Sequence, residues 1–239
     1  METIESPEDL VRRLNLPITD ILLISRAVTH RSYLNEHKEA LEDNERLEFL
    51  GDAVLDFVTG AWLYHHFPEM AEGDLTRMRS ALVDTPQLAS FARKLELGNA
   101  LRIGRGELQT GGRDRTPLLC DAFEALVGAI YLSSGIEAVE KFFHPLCEKA
   151  AIEILDSHKH EDPKGLLQEW AQAQSFQPPN YILIGDSGPD HEKVFEIEVR
   201  VNGEAIGRGF GRSKQAATKQ AAMNALEHLN LLKSSSVEG

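Results

Sequence analysis

Between residues 8 and 155 the apolar positions recur at intervals of three and four. Strict alternation is scarce there, so the region is predicted to be mostly helical. Breaks are expected at Pro17, Pro68, Gly73, Pro86, Gly98, the stretch Gly104 to Pro117, Gly135 and Pro145, leaving room for about seven to nine helices. The pattern then changes. Ser157-His-Lys-His-Glu-Asp-Pro163 is polar, ends in proline and reads as a linker. A helix is predicted from Pro163 to Gln174, with Asp162 as N-cap and proline at its start. Residues 180–185 and 193–201 read as strands, and VFEIEVRV in the second alternates cleanly. Asn202-Gly203 is a hairpin dipeptide, and residues 204–210 supply a third strand. An Ala-rich helix follows from Lys214 to Leu229, then a short tail, SSSVEG, expected to fray. The expected organisation is an all-α domain over 1–156, a linker over 157–163, a small α+β domain of order α-β-β-β-α over 164–233, and a tail over 234–239.

Composition narrows the class. Of 239 residues, 42% are hydrophobic and 26% charged, an ordinary globular balance that excludes collagen-like, mucin-like and wholly disordered chains. No apolar run approaches the roughly 20 residues of a membrane helix, so no membrane partner is expected. The acidic start METIESPEDLVRR resembles neither a secretory signal nor an Arg-rich transit peptide. Cys120 and Cys147 form no CxxC and have no histidine at zinc spacing, which argues against a disulfide framework or structural zinc. A reducing cytoplasm is the expected compartment, and no organic cofactor is implied. The net charge of −13 at first argues against a nucleic-acid partner. Yet residues 200–233 carry Arg200, Arg208, Arg212, Lys214, Lys219 and Lys233 against only Glu204 and Glu227. A local basic strip outweighs the mean, because salt limits a field to about 8–10 Å.

The segment Asn44-Glu-Arg-Leu-Glu-Phe-Leu-Gly-Asp-Ala-Val-Leu-Asp-Phe-Val58 carries candidate chemistry. On a helix, Glu45, Glu48 and Asp52 fall within an arc of about 60°. Leu47, Leu50, Val54 and Val58 lie opposite, and Phe49 and Leu55 flank the acids. A solvated face is the plain alternative. Such faces usually mix charge signs at i,i+4, whereas this one is purely anionic and bordered by large hydrophobes. A second stretch, Leu118 to Tyr131, repeats the design: Asp121 and Glu124 share one face, and Phe123, Leu126, Val127 and Ile130 the other. Uncompensated carboxylates raise each other's pKa unless a cation sits among them. A hard oxygen set without His or Cys favours Mg²⁺ or Mn²⁺ over zinc. A di-iron bundle would need Glu-x-x-His pairs, which neither segment offers. His30 and Arg31 read as structural packing residues that nothing places beside the acids. Cys120 reads as core, and His65, His66, His158 and His160 as solvated.

Near the C-terminus, Gly209-Phe-Gly-Arg-Ser-Lys-Gln-Ala-Ala-Thr-Lys-Gln-Ala-Ala222 sets glycines before a helix whose first turns present Lys214 and Lys219. Free N–H groups at the helix start and these lysines suit phosphates; an ordinary basic helix after a glycine turn is the alternative. Gln168 and Glu169 on the helix beginning at Pro163, and His191 in the turn between the first two strands, complete three contacts. Such a face suits an A-form duplex read by shape.

These motifs carry a resemblance. NERLEFLGDAVL, with Val28-Thr-His-Arg-Ser-Tyr33 upstream and Asp121-Ala-Phe-Glu-Ala-Leu-Val-Gly-Ala-Ile-Tyr131 downstream, resembles bacterial ribonuclease III, and residues 161–232 resemble its double-stranded RNA-binding domain. The resemblance implies an all-helical endonuclease domain followed by an α-β-β-β-α domain. It implies a Mg²⁺-dependent endoribonuclease, with Mn²⁺ able to substitute, that hydrolyses duplex RNA to 5′-phosphate and 3′-hydroxyl ends. Ribosomal, messenger and transfer RNA precursors are the implied substrates. Glu48, Asp121 and Glu124 would ligate the metal, Asp52 and Glu124 would be the catalytic pair, and Glu45 and Glu72 would be supporting acids. Gln168, Glu169, His191, Ser213, Lys214 and Lys219 match duplex contacts. The family often has a second lysine after Lys214; Gln215 stands here, which would cost one phosphate contact. A two-fold homodimer would supply one centre per strand, with Phe49 and Leu55 as interface candidates. The rival is a non-catalytic duplex-RNA binder, as in relatives that have lost the acids.

Overall fold

The structure, a computed structural model, describes residues 4–39, 42–156, 163–189 and 193–231. The chain forms two compact units, residues 1–160 and 161–239. The expected linker up to residue 162, the Asp162 cap, His191, the histidines at 158 and 160, Lys233 and the tail lie outside the described residues.

The first unit is helical: α1 Pro7–Leu14, α2 Ile21–Ala27, α3 Arg31–Leu34, α4 Glu45–His66, α5 Glu72–Leu82, α6 Thr85–Lys94, α7 Arg105–Gln109, α8 Thr116–Ser134 and α9 Ile136–Asp156. Ser6, Asp20, His30 and Asp84 begin α1, α2, α3 and α6 by accepting backbone N–H bonds, the usual task of polar N-caps. Pro145 does not break the chain as the sequence reading expects; it lies inside α9. Burial of Phe143 and Cys147 on either side of it offsets the one lost helix bond.

Helix α8 is the centre of the core. Its Leu118, Leu119, Ala122, Phe123, Ala125, Leu126, Val127, Ala129 and Ile130 are buried. Phe91, Phe123 and Phe143 meet with ring centroids 5.7 to 6.1 Å apart. By length and composition alone α8 is long and apolar enough to cross a membrane, but its apolar residues are mostly buried inside the unit and it carries Asp121 and Glu124. Helix α4 crosses α8 at two glycines. A β-carbon on Gly51 would overlap the Glu124 carbonyl oxygen, and one on Gly128 would overlap that of Leu47. The backbones therefore touch, which draws the two acid-bearing helices as close as helices come.

The second unit comprises α10 Pro163–Ala173, β1 Asn180–Ser187, β2 Val194–Val201, β3 Glu204–Gly211 and α11 Lys214–His228. The strands form an antiparallel sheet of order β1-β2-β3. Pro163, the last residue of the expected linker, is the buried first residue of α10. Asn202 (φ 51°) and Gly203 (φ 85°) make the tight β2–β3 turn that their dipeptide predicts. Gly207, Gly209 and Gly211 alternate along β3, and a β-carbon at any of them would overlap α11 backbone around Ala217, Ala221 and Ala225. The two-residue repeat of a strand thus meshes with the four-residue repeat of a small-residue helix stripe.

Candidate active site and duplex-RNA surface

Four carboxylates come together where α4 crosses α8. Glu48 (α4) and Asp121 and Glu124 (α8) are half-buried, and Asp52 (α4) is exposed. Carboxylate oxygens of Asp121 and Glu124 lie within 4.8 Å of one another and of the Cys120 Sγ. Burial, then the charges of Asp52, Glu48 and Asp121, push the Glu124 carboxyl up to about 7. Glu48 is raised by burial and then by Asp121, Glu45 and Asp52. Asp121 is raised by burial, against an opposing pull from His30. Glu48 and Glu124 are thus each raised by burial first and then by carboxylates of the other helix.

Cys120 is a poor ligand candidate beside these carboxylates. Burial and the neighbouring Glu124 and Asp121 push its thiol up to about 12, so it stays protonated and hydrogen-bonds Glu124. What remains is a set of hard carboxylate oxygens, which fits Mg²⁺ or Mn²⁺ rather than a soft metal.

His30, Arg31, Asn44, Glu45, Glu48 and Asp121 line a cleft of about 310 Å³. This corrects the reading of His30 and Arg31 as remote from the acids. They sit at the start of α3, and Arg31 pairs with Glu45 at 3.2 Å. Leu55 is also corrected. It is only 1% exposed, because α4 is wrapped on more sides than a two-faced helix allows. Phe49 is 80% exposed. Glu72 is exposed in the first turn of α5 and does not line the acid cleft. His65 and His66 are both exposed, as expected, and His66 also stacks on Trp62 and bonds its carbonyl at 2.8 Å.

In the second unit, Ser213 caps α11 by accepting the Ala216 N–H at 3.1 Å. Pro163, Lys164, Ser213, Lys214, Gln215 and Lys219 line a groove of about 680 Å³ at the starts of α10 and α11. Lys214 lies 5.9 Å from the Phe195 ring centre, and Lys193 lies 5.8 Å from it. Gln168 and Glu169 are exposed on α10. Lys164, which the sequence reading missed, joins the cationic rim because proline starts α10 one residue before it.

A helical unit with a carboxylate centre, followed by an α-β-β-β-α unit with a cationic groove, defines an endoribonuclease of double-stranded RNA. Residues 20–149 match the family described as Ribonuclease-III-like, and residues 163–229 the double-stranded RNA binding motif. The chain belongs to the ribonuclease III family, whose members are metal-dependent. It is 43% identical to ribonuclease 3 of Natranaerobius thermophilus, over 93% of this chain and 96% of that protein. It is 46% identical to ribonuclease 3 of Anoxybacillus flavithermus, over 88% of each. The solved nuclease domain of ribonuclease III from Campylobacter jejuni is similar at 40% identity and a TM-score of 0.55, covering 62% of this chain and 98% of that one.

Proposed function

We propose that this endoribonuclease holds Mg²⁺ on Glu48, Asp121 and Glu124, and that Asp52 and Glu124 are its catalytic pair. One observation carries this: the Gly51–Gly128 contact seats two carboxylate-bearing helices so closely that burial, and then charge from the other helix, raises Glu48 and Glu124. When bound, the ion supplies Lewis-acid polarisation of the scissile phosphate and activates water. Glu124, the more buried of the pair, holds a proton that it yields as the cluster is neutralised. Asp52 lies at the exposed edge of the cluster. Glu45 and Glu72 are supporting acids. Products carry 5′-phosphate and 3′-hydroxyl ends. The substrates are precursors of ribosomal RNA and other structured transcripts, including messenger and transfer RNA, in the cytoplasm. The second unit grips the duplex through Gln168, Glu169, His191, Ser213, Lys214 and Lys219. The chain acts as a two-fold homodimer with one centre per strand. The Campylobacter nuclease domain, described as flexible in a region involved in dimer formation, supports that reading.

The test is cleavage of a long, perfectly paired RNA with Mg²⁺ or EDTA, by the native chain and by Glu124→Gln. Cutting that needs Mg²⁺ and vanishes in the variant, with duplex binding intact, is the expected result. Binding without cutting under any divalent metal would leave only a structural RNA binder.

A further inference from the structure

Two groups in the acid cleft have no place in the scheme above: the His30 ring and the Asn44 amide. The network around His30 fixes its tautomer. The backbone N–H of Ser32 donates to His30 Nδ1 at 3.2 Å, so Nδ1 must carry a lone pair. Ser32 Oγ accepts the Gly104 N–H at 2.9 Å and lies 2.8 Å from the same Nδ1, to which it gives its own proton. The single proton of the neutral ring therefore sits on Nε2. That edge is left over from capping α3, and the ring lines the cleft with Glu48 and Asp121.

Asn44 tells the same story from the other side. It occupies the N-cap position of α4, yet its side chain makes no capping bond, and Asp43 Oδ1 accepts the Glu45 N–H instead. Asn44 is 2% exposed and lines the cleft, and its amide makes no hydrogen bond to the described residues. Backbone bonds pin both residues to one short bridge: Asn44 N–H donates to Thr29 O at 2.9 Å, and His30 N–H to Arg102 O at 3.0 Å.

We propose that His30 and Asn44 are positioning residues of the acid centre. Their N–H groups orient the Asp121 and Glu48 carboxylates, directly or through one water, when the metal binds. Loss of such an outer partner typically costs 10–100-fold in metal affinity or activity. The inference rests on the proposed ligand roles of Asp121 and Glu48.

The two ring nitrogens can be separated. His30→Asn keeps an acceptor near Nδ1, and hence the cap, but loses the Nε2 donor. His30→Gln reaches the Nε2 position with a donor but loses the cap. The positioning role expects His30→Asn to melt like the native chain, with kcat and Mn²⁺ affinity about 10–100-fold lower and KM for duplex unchanged. It expects His30→Gln to melt lower yet keep kcat and Mn²⁺ affinity nearer native. Asn44→Leu should lose kcat and Mn²⁺ affinity together. If rates instead follow melting temperature across the variants, or if His30→Asn binds Mn²⁺ and cuts as the native chain does, the proposal is overturned. Glu124→Gln separates the two levels: if it still cuts, the ligand reading itself fails; if it is dead while His30→Asn is native-like, only the positioning role fails.

Discussion

Glu124 is half-buried against three other carboxylates, and its chemistry follows from that crowding. Its carboxyl titrates near 7 instead of at its ordinary 4.5, because burial and the neighbouring charges disfavour ionisation. A folded-state value raised above the unfolded one means that the native state holds the proton more tightly. The associated stability is complete below about pH 4.5 and is lost as pH rises through about 7. In EDTA, the melting temperature of the native chain should therefore fall relative to Glu124→Gln between pH 5 and pH 8. Added Mg²⁺ should raise it more at pH 8 than at pH 5.5, since the cation offsets the repulsion only when the acids are ionised. Scanning fluorimetry of both proteins checks this; parallel pH curves with no Mg²⁺ difference would remove Glu124 from the cluster. At this scale the acids were legible from helical spacing. His30 and Asn44 were not, because a wheel shows which residues share one helix and nothing of what a loop such as 28–30 brings alongside.

Helices α4 and α8 show what periodicity conveys and where it stops. Their apolar and acidic faces follow from three-and-four spacing, and the core side of each is as expected. The crossing point is different. Gly51 and Gly128 look in sequence like weak points in otherwise good helices, and only the pairing of the two backbones shows that no other residue fits. Leu55 failed for a related reason: a helix packed on several sides has no single apolar face to read. Gly51→Ala tests the crossing. Its added methyl overlaps the Glu124 carbonyl oxygen, a backbone atom that cannot swing aside, so the helices must separate. Overpacking of this kind costs up to about 3 kcal/mol or more, and it would spread the acids apart. The expected outcome is a lower melting temperature for the first unit and lost cleavage, with duplex binding retained. An active variant melting like the native chain would show that the crossing is not the constraint.

Across the whole molecule, the charge of −13 and an RNA partner are compatible because the charge is partitioned. The carboxylates concentrate at the α4–α8 crossing, where the proposed Mg²⁺ would neutralise them, and Lys164, Lys214 and Lys219 line the groove of the second unit. This partition was visible in the sequence as a basic strip in an acidic chain. A duplex has two strands, and each chain carries one acid centre, so complete cutting calls for two copies. Helix α4 presents a surface for them. Phe49, Phe57 and Tyr64 are exposed in the first unit. Phe49 also borders a groove of about 600 Å³ lined in part by Arg46, Leu50 and Leu132. Apolar side chains this exposed and this aligned mark a contact surface. Phe49→Glu places a buried charge in each half of a two-fold interface, where like charges meet. Light scattering at micromolar concentration should show the native chain as a dimer and Phe49→Glu as a monomer. With Mg²⁺ and a duplex substrate, the variant should lose paired cuts on the two strands. A native monomer, or a variant that remains dimeric and makes paired cuts, would move the interface away from Phe49.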